Sequence, residues 1–198
     1  VCFVLNGFGK TAGLVQVEEL GVIESPIMLT NTFSVGAVWQ GTLEYMLEAT
    51  PEIGDVTGSV NIVVGECNDS YLNTARVMAV TKEHAKEAIA AARVEMEEGA
   101  VGAGTGMMCF GWKGGVGSSS RVVSRGYTVG ALVVSNFGRR EELRFVPYMP
   151  PSFDERDVPP GSIMMIVATD APLDARQLKR LARRAAVGDP PRPRLHVA

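Results

Sequence analysis

The sequence predicts a mixed α/β or α+β domain, and three observations carry that prediction. Apolar residues recur at helical spacing in three separate stretches, at 35–49, 82–98 and 174–188. Short apolar runs lie before and between them, at 27–31, 60–65, 120–125, 128–135 and 163–168. Of 198 residues, 46% are hydrophobic and 21% charged, which excludes disordered and collagen-like chains.

The elements follow in order. Residues 1–5 (VCFVL) read as a short apolar strand. Asn6-Gly7 opens a Gly-rich loop over 6–13, because Asn-Gly favours a turn with positive φ. Residues 14–19 partly alternate, as a strand does, and 27–31 reads as a buried strand end. The stretch 35–49 is a helix with Val35, Val38, Trp39, Thr42, Leu43, Met46 and Leu47 on one stripe. Pro51 and Gly54 end it. After a strand at 60–65, a second helix is expected over 82–98, with Thr81 as N-cap and Gly99 as the C′ glycine. Ala85, Ala88, Ile89, Ala92 and Met96 line its apolar side.

Strands follow at 120–125 and 128–135, with another candidate at 143–148. Residues 149–161 carry Pro150, Pro151, Pro159 and Pro160 and read as an exposed, extended linker. The apolar run 163–168 is a buried strand. The last helix has the clearest signals: Asp174 as N-cap with Gln177 three residues on, as in a capping box, and Leu173 with Leu178 as a hydrophobic staple. Leu178, Leu181, Ala182 and Ala185 form its apolar face. Arg176, Lys179, Arg180, Arg183 and Arg184 form a basic face that reads as solvated surface. Residues 189–198 show no periodicity and read as an irregular tail.

Rare residues exclude several chemistries. Net charge is −3, so no general basic footprint for nucleic acid is present. No apolar run reaches the length of a membrane-spanning helix. Only two histidines exist, His84 and His196, which excludes a multi-histidine metal site and leaves a Ser-His-Asp triad two poorly placed rings. The three cysteines, Cys2, Cys67 and Cys109, form no CxxC pair, and all three read as reduced packing residues. No metal and no cofactor is expected. Residue 1 is Val and no leader is visible, so a processed chain or a fragment is expected, with a cytoplasmic location.

Two segments invite a chemical reading. Residues 99–117 hold eight glycines, but Lys113 is followed by Gly114, which fails the phosphate-loop pattern. Gly102-Ala103-Gly104-Thr105-Gly106 precedes a strand-like segment and not a helix, which argues against a dinucleotide fingerprint. Close backbone packing and tight turns are the favoured reading, with pocket lining behind it. The second segment is Pro159-Pro160-Gly161-Ser162-Ile163, a Gly–Ser bond delivered onto an apolar strand. A serine there is placed to attack the carbonyl of Gly161. Hydrolysis of the resulting ester leaves Ser162 as a new N-terminus, whose own α-amine, with a pKa of about 8, serves as the base for Oγ. On residues alone the same Gly-Ser is a turn, Asn136 a strand-end turn residue and Glu66 a surface acid.

The run GSIMMIVATDAPLDARQLKRLARRAAVG closely resembles the nucleophile segment of the self-processing serine aminopeptidases, the L-aminopeptidase/D-Ala-esterase-amidase and β-peptidyl aminopeptidase family. The blocks LNGFGKTAG, PIMLTNTFSVG, VVGECNDSYLN, GAVGAGTGMMCFGWKGGVGSSSRVV and VGALVVSNFGRR agree in order, so the resemblance covers 1–188. It implies a four-layer α/β/β/α sandwich that resembles N-terminal-nucleophile hydrolases in layering, incomplete in this chain. It implies one domain over 1–188, cut between Gly161 and Ser162 into chains 1–161 and 162–188 plus the tail. Ser162 is then the nucleophile, Asn136 the oxyanion-stabilising residue and Glu66 the acid that pairs with the substrate's free amine. Some members carry an aromatic residue where this chain has Asn68, and its role is not transferred. The implied activity is release of N-terminal amino acids from peptides, amides or esters, without a cofactor and without nucleic-acid or membrane partners, in a homo-oligomer of tetrameric type. A catalytically impaired remnant of the family and an acyltransferase on the same fold are the alternatives.

Overall fold

The computed structural model describes residues 1–143 and 161–188. Its first half is a parallel strand pair with helices on one face. Strand β1 (Ile27–Asn31) pairs in parallel with β2 (Val63–Cys67), from Ile27 opposite Val63 to Asn31 opposite Cys67. Parallel neighbours need a crossover, and α2 (Val35–Ala49) supplies it. Helix α3 (Lys82–Ala91) packs on α2. Met28, Val38, Ile62, Val64 and Ala85 form the core between these helices and strands.

The second half is an antiparallel sheet in the order β5-β6-β7, made of β5 (Gly115–Val122), β6 (Thr128–Asn136) and β7 (Ser162–Thr169). A two-residue hairpin, β3 (Met108–Cys109) with β4 (Trp112–Lys113), precedes it. The sheet packs on β2 through Cys67, Met107 and Val134, with Leu29, Val116 and Met164 around them. Helix α4 (Ala175–Gly188) returns against β7. The successive layers are therefore α2/α3, β1/β2, β5–β7 and α4, an α/β/β/α order. Strand β2 is buried along its whole length, Glu66 included, because it has a layer on each side.

Several expectations need correction. Residues 1–5 form no strand, and 14–19 belong to a helix, α1 (Leu14–Leu20), held between Gly13 and Gly21, both at positive φ. The partial alternation misleads there because Val17 alone of the helix is buried. The strand expected at 60–65 lies at Val63–Cys67, and the one expected at 120–125 begins at Gly115, inside the Gly-rich stretch. Helix α3 ends at Ala91, not at 98: only Ala85 of the helix is buried, and residues 92–98 are exposed, with Glu98 accepting from the Ser118 N–H and hydroxyl. Gly99 is not its C′ residue but exchanges backbone hydrogen bonds with Val116. The cysteines form no disulfide with one another; Cys67 is buried and the other two are half-buried. Residues 144–148, the Pro-rich linker up to 160 and the tail at 189–198 lie outside the described residues.

Other signals hold. Helix α2 has the expected bounds. Thr81 caps α3 in a box completed by His84, whose Nδ1 accepts the Thr81 N–H at 3.0 Å. Asp174 and Gln177 exchange backbone-to-side-chain hydrogen bonds of 2.9 and 2.7 Å at the start of α4. The basic face of α4 is partly used: Lys179 pairs with Glu18, and the Arg183 guanidinium lies 5.5 Å from the Phe3 ring centre. Together with Cys2, Leu14 and Val15 these residues line an open hollow of about 480 Å³. No helix among the described residues is long and apolar enough to cross a membrane.

The α2–α3 contact is both polar and close. Glu44 sits 2.9 Å from Lys82 and 3.3 Å from Lys86, and the Lys82 hydrogen bond, first among several, holds its carboxyl down at about 2. At Gly41 a Cβ would stand 2.2 Å from the carbonyl oxygen of Lys82, whereas at Gly36 it would meet nothing within 4 Å. Alanine at the two positions should therefore act with opposite sign. Gly36→Ala is expected to raise stability by roughly 0.5–1 kcal/mol through backbone entropy. Gly41→Ala is expected to lower it by about 1–3 kcal/mol despite the better helix propensity of alanine. Thermal melting of the two variants checks this, and a Gly41→Ala protein melting at or above the parent would show that the helices are not in such close contact.

Candidate active site

Ser162 is the first residue of β7 and Asn136 the last of β6, and they are register partners. Directly opposed residues in an antiparallel pair project to the same face, so the two side chains are brought together by the ladder itself. Gly161 stands just before. A Cβ on it would lie 1.8 Å from the carbonyl oxygen of Asn136 and 2.6 Å from Cα of Phe137. The chain enters β7 through a space that admits glycine only, and the Gly161–Ser162 bond lies against the end of β6.

The turn after β2 closes over this pair. The backbone N–H of Asn68 donates to Ser162 Oγ at 3.4 Å, and its carbonyl accepts from Asn136 Nδ2 at 2.8 Å. Asn136 Oδ1 accepts the Met108 N–H at 2.9 Å. A donor on one side and an acceptor on the other fix the orientation of the amide. One Nδ2 proton remains beyond the bond to Asn68. Ser162 is half-buried and Asn68 exposed, so the group is open to solvent on one side. The Asn68 side chain is occupied locally, with Oδ1 accepting the Ser70 N–H at 3.0 Å. Beneath Ser162 lies Cys67, whose thiol contacts the Ser162 hydroxyl and points at the Val134 carbonyl 3.8 Å away. Burial pushes that thiol up to about 11, so it stays protonated at neutral pH.

Glu66 is not a surface acid: it is 5% exposed, at the end of β2, two residues before Asn68. The Gly-rich loop 6–13 covers it. Ala12 bridges Val64, and the Lys10 N–H donates to Glu66 Oε1 at 2.9 Å, with the Lys10 ammonium 4.0 Å away. The second carboxylate oxygen, Oε2, is buried with no hydrogen-bond partner among the described residues. A buried carboxylate oxygen without a donor is costly, and it marks a place for a cationic or N–H-bearing ligand.

The Gly-rich stretch serves close packing. A Cβ at Gly104, Gly114 or Gly115 would come within 2.1–2.5 Å of backbone oxygen. Lys113 ties the stretch together by donating to the carbonyls of Gly104, Met107 and Gly114 at 2.8–3.1 Å, and desolvation lowers its pKa. Met107 fills the core beside Cys67, and Met108 orients Asn136.

Of the four site residues expected from the sequence, Asn136, Gly161 and Ser162 thus meet at the ends of β6 and β7, and Glu66 lies near the end of β2, one residue before the Cys67 that contacts Ser162. Sequence reasoning missed the backbone donors of Lys10, Asn68 and Met108, which carry no side-chain signature. It also missed Asp69, which no motif singles out. Substituting Gly161 by alanine is expected to open the β6–β7 end and to destabilise the chain by about 1–3 kcal/mol, seen as a lower melting temperature and faster hydrogen exchange at 134–136. An unchanged melting temperature would mean that the close approach to Asn136 is absent.

Residues 1–188 match peptidase family S58. The chain is 40% identical over 206 aligned positions to beta-peptidyl aminopeptidase BapA of Sphingosinicella microcystinivorans, covering 92% of this chain and 51% of that protein. It is 38% identical to the BapA of Sphingosinicella xenopeptidilytica, with 93% and 51% covered. Among solved structures it is similar to the PH0078 protein of Pyrococcus horikoshii OT3, with a TM-score of 0.85 and 56% identity. It is likewise similar to a beta-aminopeptidase of a Burkholderia species, at 0.83 and 42%, and to the L-aminopeptidase D-Ala-esterase/amidase of Ochrobactrum anthropi, at 0.85 and 36%. The last is described as a prototype serine aminopeptidase with a variant of the Ntn hydrolase fold. Each superposition covers 94% of this chain and 53% of the other. The chain spans about half the length of the relatives it matches, and over that half it belongs to peptidase family S58.

Proposed function

We propose that this chain carries the self-processing and hydrolytic centre of an aminopeptidase acting on peptides, amides or esters with a free amino terminus. The observation that carries the reading is the meeting of Ser162, Asn136 and the Asn68 amide at a Gly161–Ser162 bond held where only glycine fits. Ser162 Oγ attacks the carbonyl carbon of Gly161, and the C–N bond breaks to leave an ester on Oγ and a free α-amine on Ser162. Water hydrolyses the ester and separates chain 1–161 from the chain beginning at Ser162.

In turnover the freed α-amine takes the Oγ proton, and Oγ attacks the substrate carbonyl. Negative charge then develops on the carbonyl oxygen. In this reading the remaining Asn136 Nδ2 proton and the Asn68 N–H, which already faces Ser162 Oγ, donate to it. The amine returns its proton to the leaving group, and water releases the acyl-enzyme. Glu66 pairs with the substrate ammonium through Oε2, the buried oxygen that lacks a donor, and so selects the N-terminal residue. The names of the relatives extend the substrate class to β-peptides. A tetramer of processed protomers is the assembly we propose.

Denaturing intact-mass measurement tests the first step. The expected result is two chains, one ending at Gly161 and one beginning at Ser162, with Ser162→Ala giving only the full-length species. Cleavage persisting in Ser162→Ala would overturn the mechanism. Asn136→Ala is expected to slow cleavage by about 10²–10³, the usual cost of removing one oxyanion donor. Glu66→Gln separates the two activities: self-cleavage is expected to proceed, while KM for an amino-acid anilide rises at least ~10-fold, the scale of one charge-assisted bond. An unaltered KM would remove Glu66 from substrate binding.

A further inference from the structure

Asp69 lies directly beyond the site residues, and nothing in the reaction above uses it. It is 4% exposed. Its Oδ2 accepts two side-chain amides, Asn31 Nδ2 from the end of β1 and Asn73 Nδ2 from four residues on, both at 3.0 Å. Its backbone carbonyl accepts the N–H groups of Leu72 and Asn73 at 3.1 and 2.9 Å. Gly106 presses on the pair: a Cβ there would lie 2.4 Å from Asn73 Nδ2 and 2.6 Å from Asp69 Cβ. Two residues further along the same segment, Met108 N–H orients Asn136.

We infer that Asp69 is a positioning residue: its carboxylate pins the turn 68–73 between β1 and the segment 106–108, so that the Asn68 N–H faces Ser162 Oγ while the Asn68 carbonyl holds Asn136. This rests on the proposed role of Ser162. The physical argument is one of constraint. Asn68 is exposed, and its backbone must hold a donor toward Ser162 and an acceptor toward Asn136 at the same time. A free turn would not keep both. The residue next to it is anchored by a buried carboxylate with two amide partners from different parts of the chain, the kind of supporting contact that fixes a site within a fraction of an ångström.

The test compares Asp69→Ala with Asp69→Asn. The alanine removes the shared acceptor and leaves two amides without a partner. The asparagine keeps one acceptor oxygen in the same place. Self-cleavage is expected to slow by about 100-fold in Asp69→Ala, the effect of a misplacement near 1 Å, and to recover to within about 10-fold of the parent in Asp69→Asn. On an anilide substrate the loss should appear in kcat with KM preserved. A second measurement is independent of activity: hydrogen exchange by mass spectrometry in the uncleavable Ser162→Ala background. There Asp69→Ala should lose protection over 67–73 while the β5–β7 sheet keeps it. Retained protection over 67–73, or equal rates for parent and Asp69→Ala, would overturn the inference. So would a KM-only effect or a failure of Asp69→Asn to rescue. A parent chain that does not cleave would count against the role of Ser162, and the exchange experiment would still decide whether Asp69 anchors the turn.

Discussion

The site depends on one constraint, the register of β6 against β7. Asn136 opposite Ser162 is the last pair of a ladder that begins with Val129 opposite Thr169. A slip of one residue would turn every side chain of β7 to the opposite face and carry Ser162 away from Asn136. The register is held by inward packing of Val134 and Met164 against β2, and at its end by the space at Gly161. Packing and the proposed chemistry share one residue: the glycine that lets β7 begin so close to β6 is also the one whose carbonyl the proposed cleavage attacks.

Strand β2 links that ladder to the rest of the chain. Its residues divide between two cores, with Ile62 just before it and Val64 facing the helices and Cys67 facing the antiparallel sheet. Gly65 lets the sheets approach, since a Cβ there would lie 2.3 Å from Met164 Cε. Strand β2 is buried on both sides, and the chain runs from Glu66 and Cys67 at its end into Asn68 and Asp69 of the turn. Polar groups at the end of a fully buried strand are costly unless each has a partner. Here most find one, from the Lys10 N–H, Asn136, Asn31 or Asn73. Two carboxylate oxygens find none among the described residues, Glu66 Oε2 and Asp69 Oδ1.

The glycine-rich stretch shows how backbone can serve a site without touching its chemistry. Its glycines let three segments run in contact, and Lys113 replaces the missing side-chain packing with three carbonyl contacts. The result is a firm position for Met108, whose N–H settles which way the Asn136 amide faces. Phe110, at positive φ, stacks edge-on to Phe137 with ring centres 5.0 Å apart and ties the β3–β4 hairpin to the end of β6.

The residues alone made helices α2 and α4, strand β1, the apolar run of β7, the Thr81 cap and the Asp174–Gln177 capping box legible, because caps, periodicity and short apolar runs are local properties. Resemblance over ordered blocks singled out Ser162, Gly161, Asn136 and Glu66. Local pattern failed where burial decides. Residues 14–19 partly alternate yet form a helix with one buried residue, and α3 stops at Ala91, where residues 92–98 have no buried face. The burial of Glu66 and Asp69, the Asn68 amide over Ser162 and the register that faces Asn136 to Ser162 were decided by tertiary structure alone. Each depends on segments tens of residues apart meeting across two sheets, and no window of sequence records which backbone groups will be neighbours once the chain has folded.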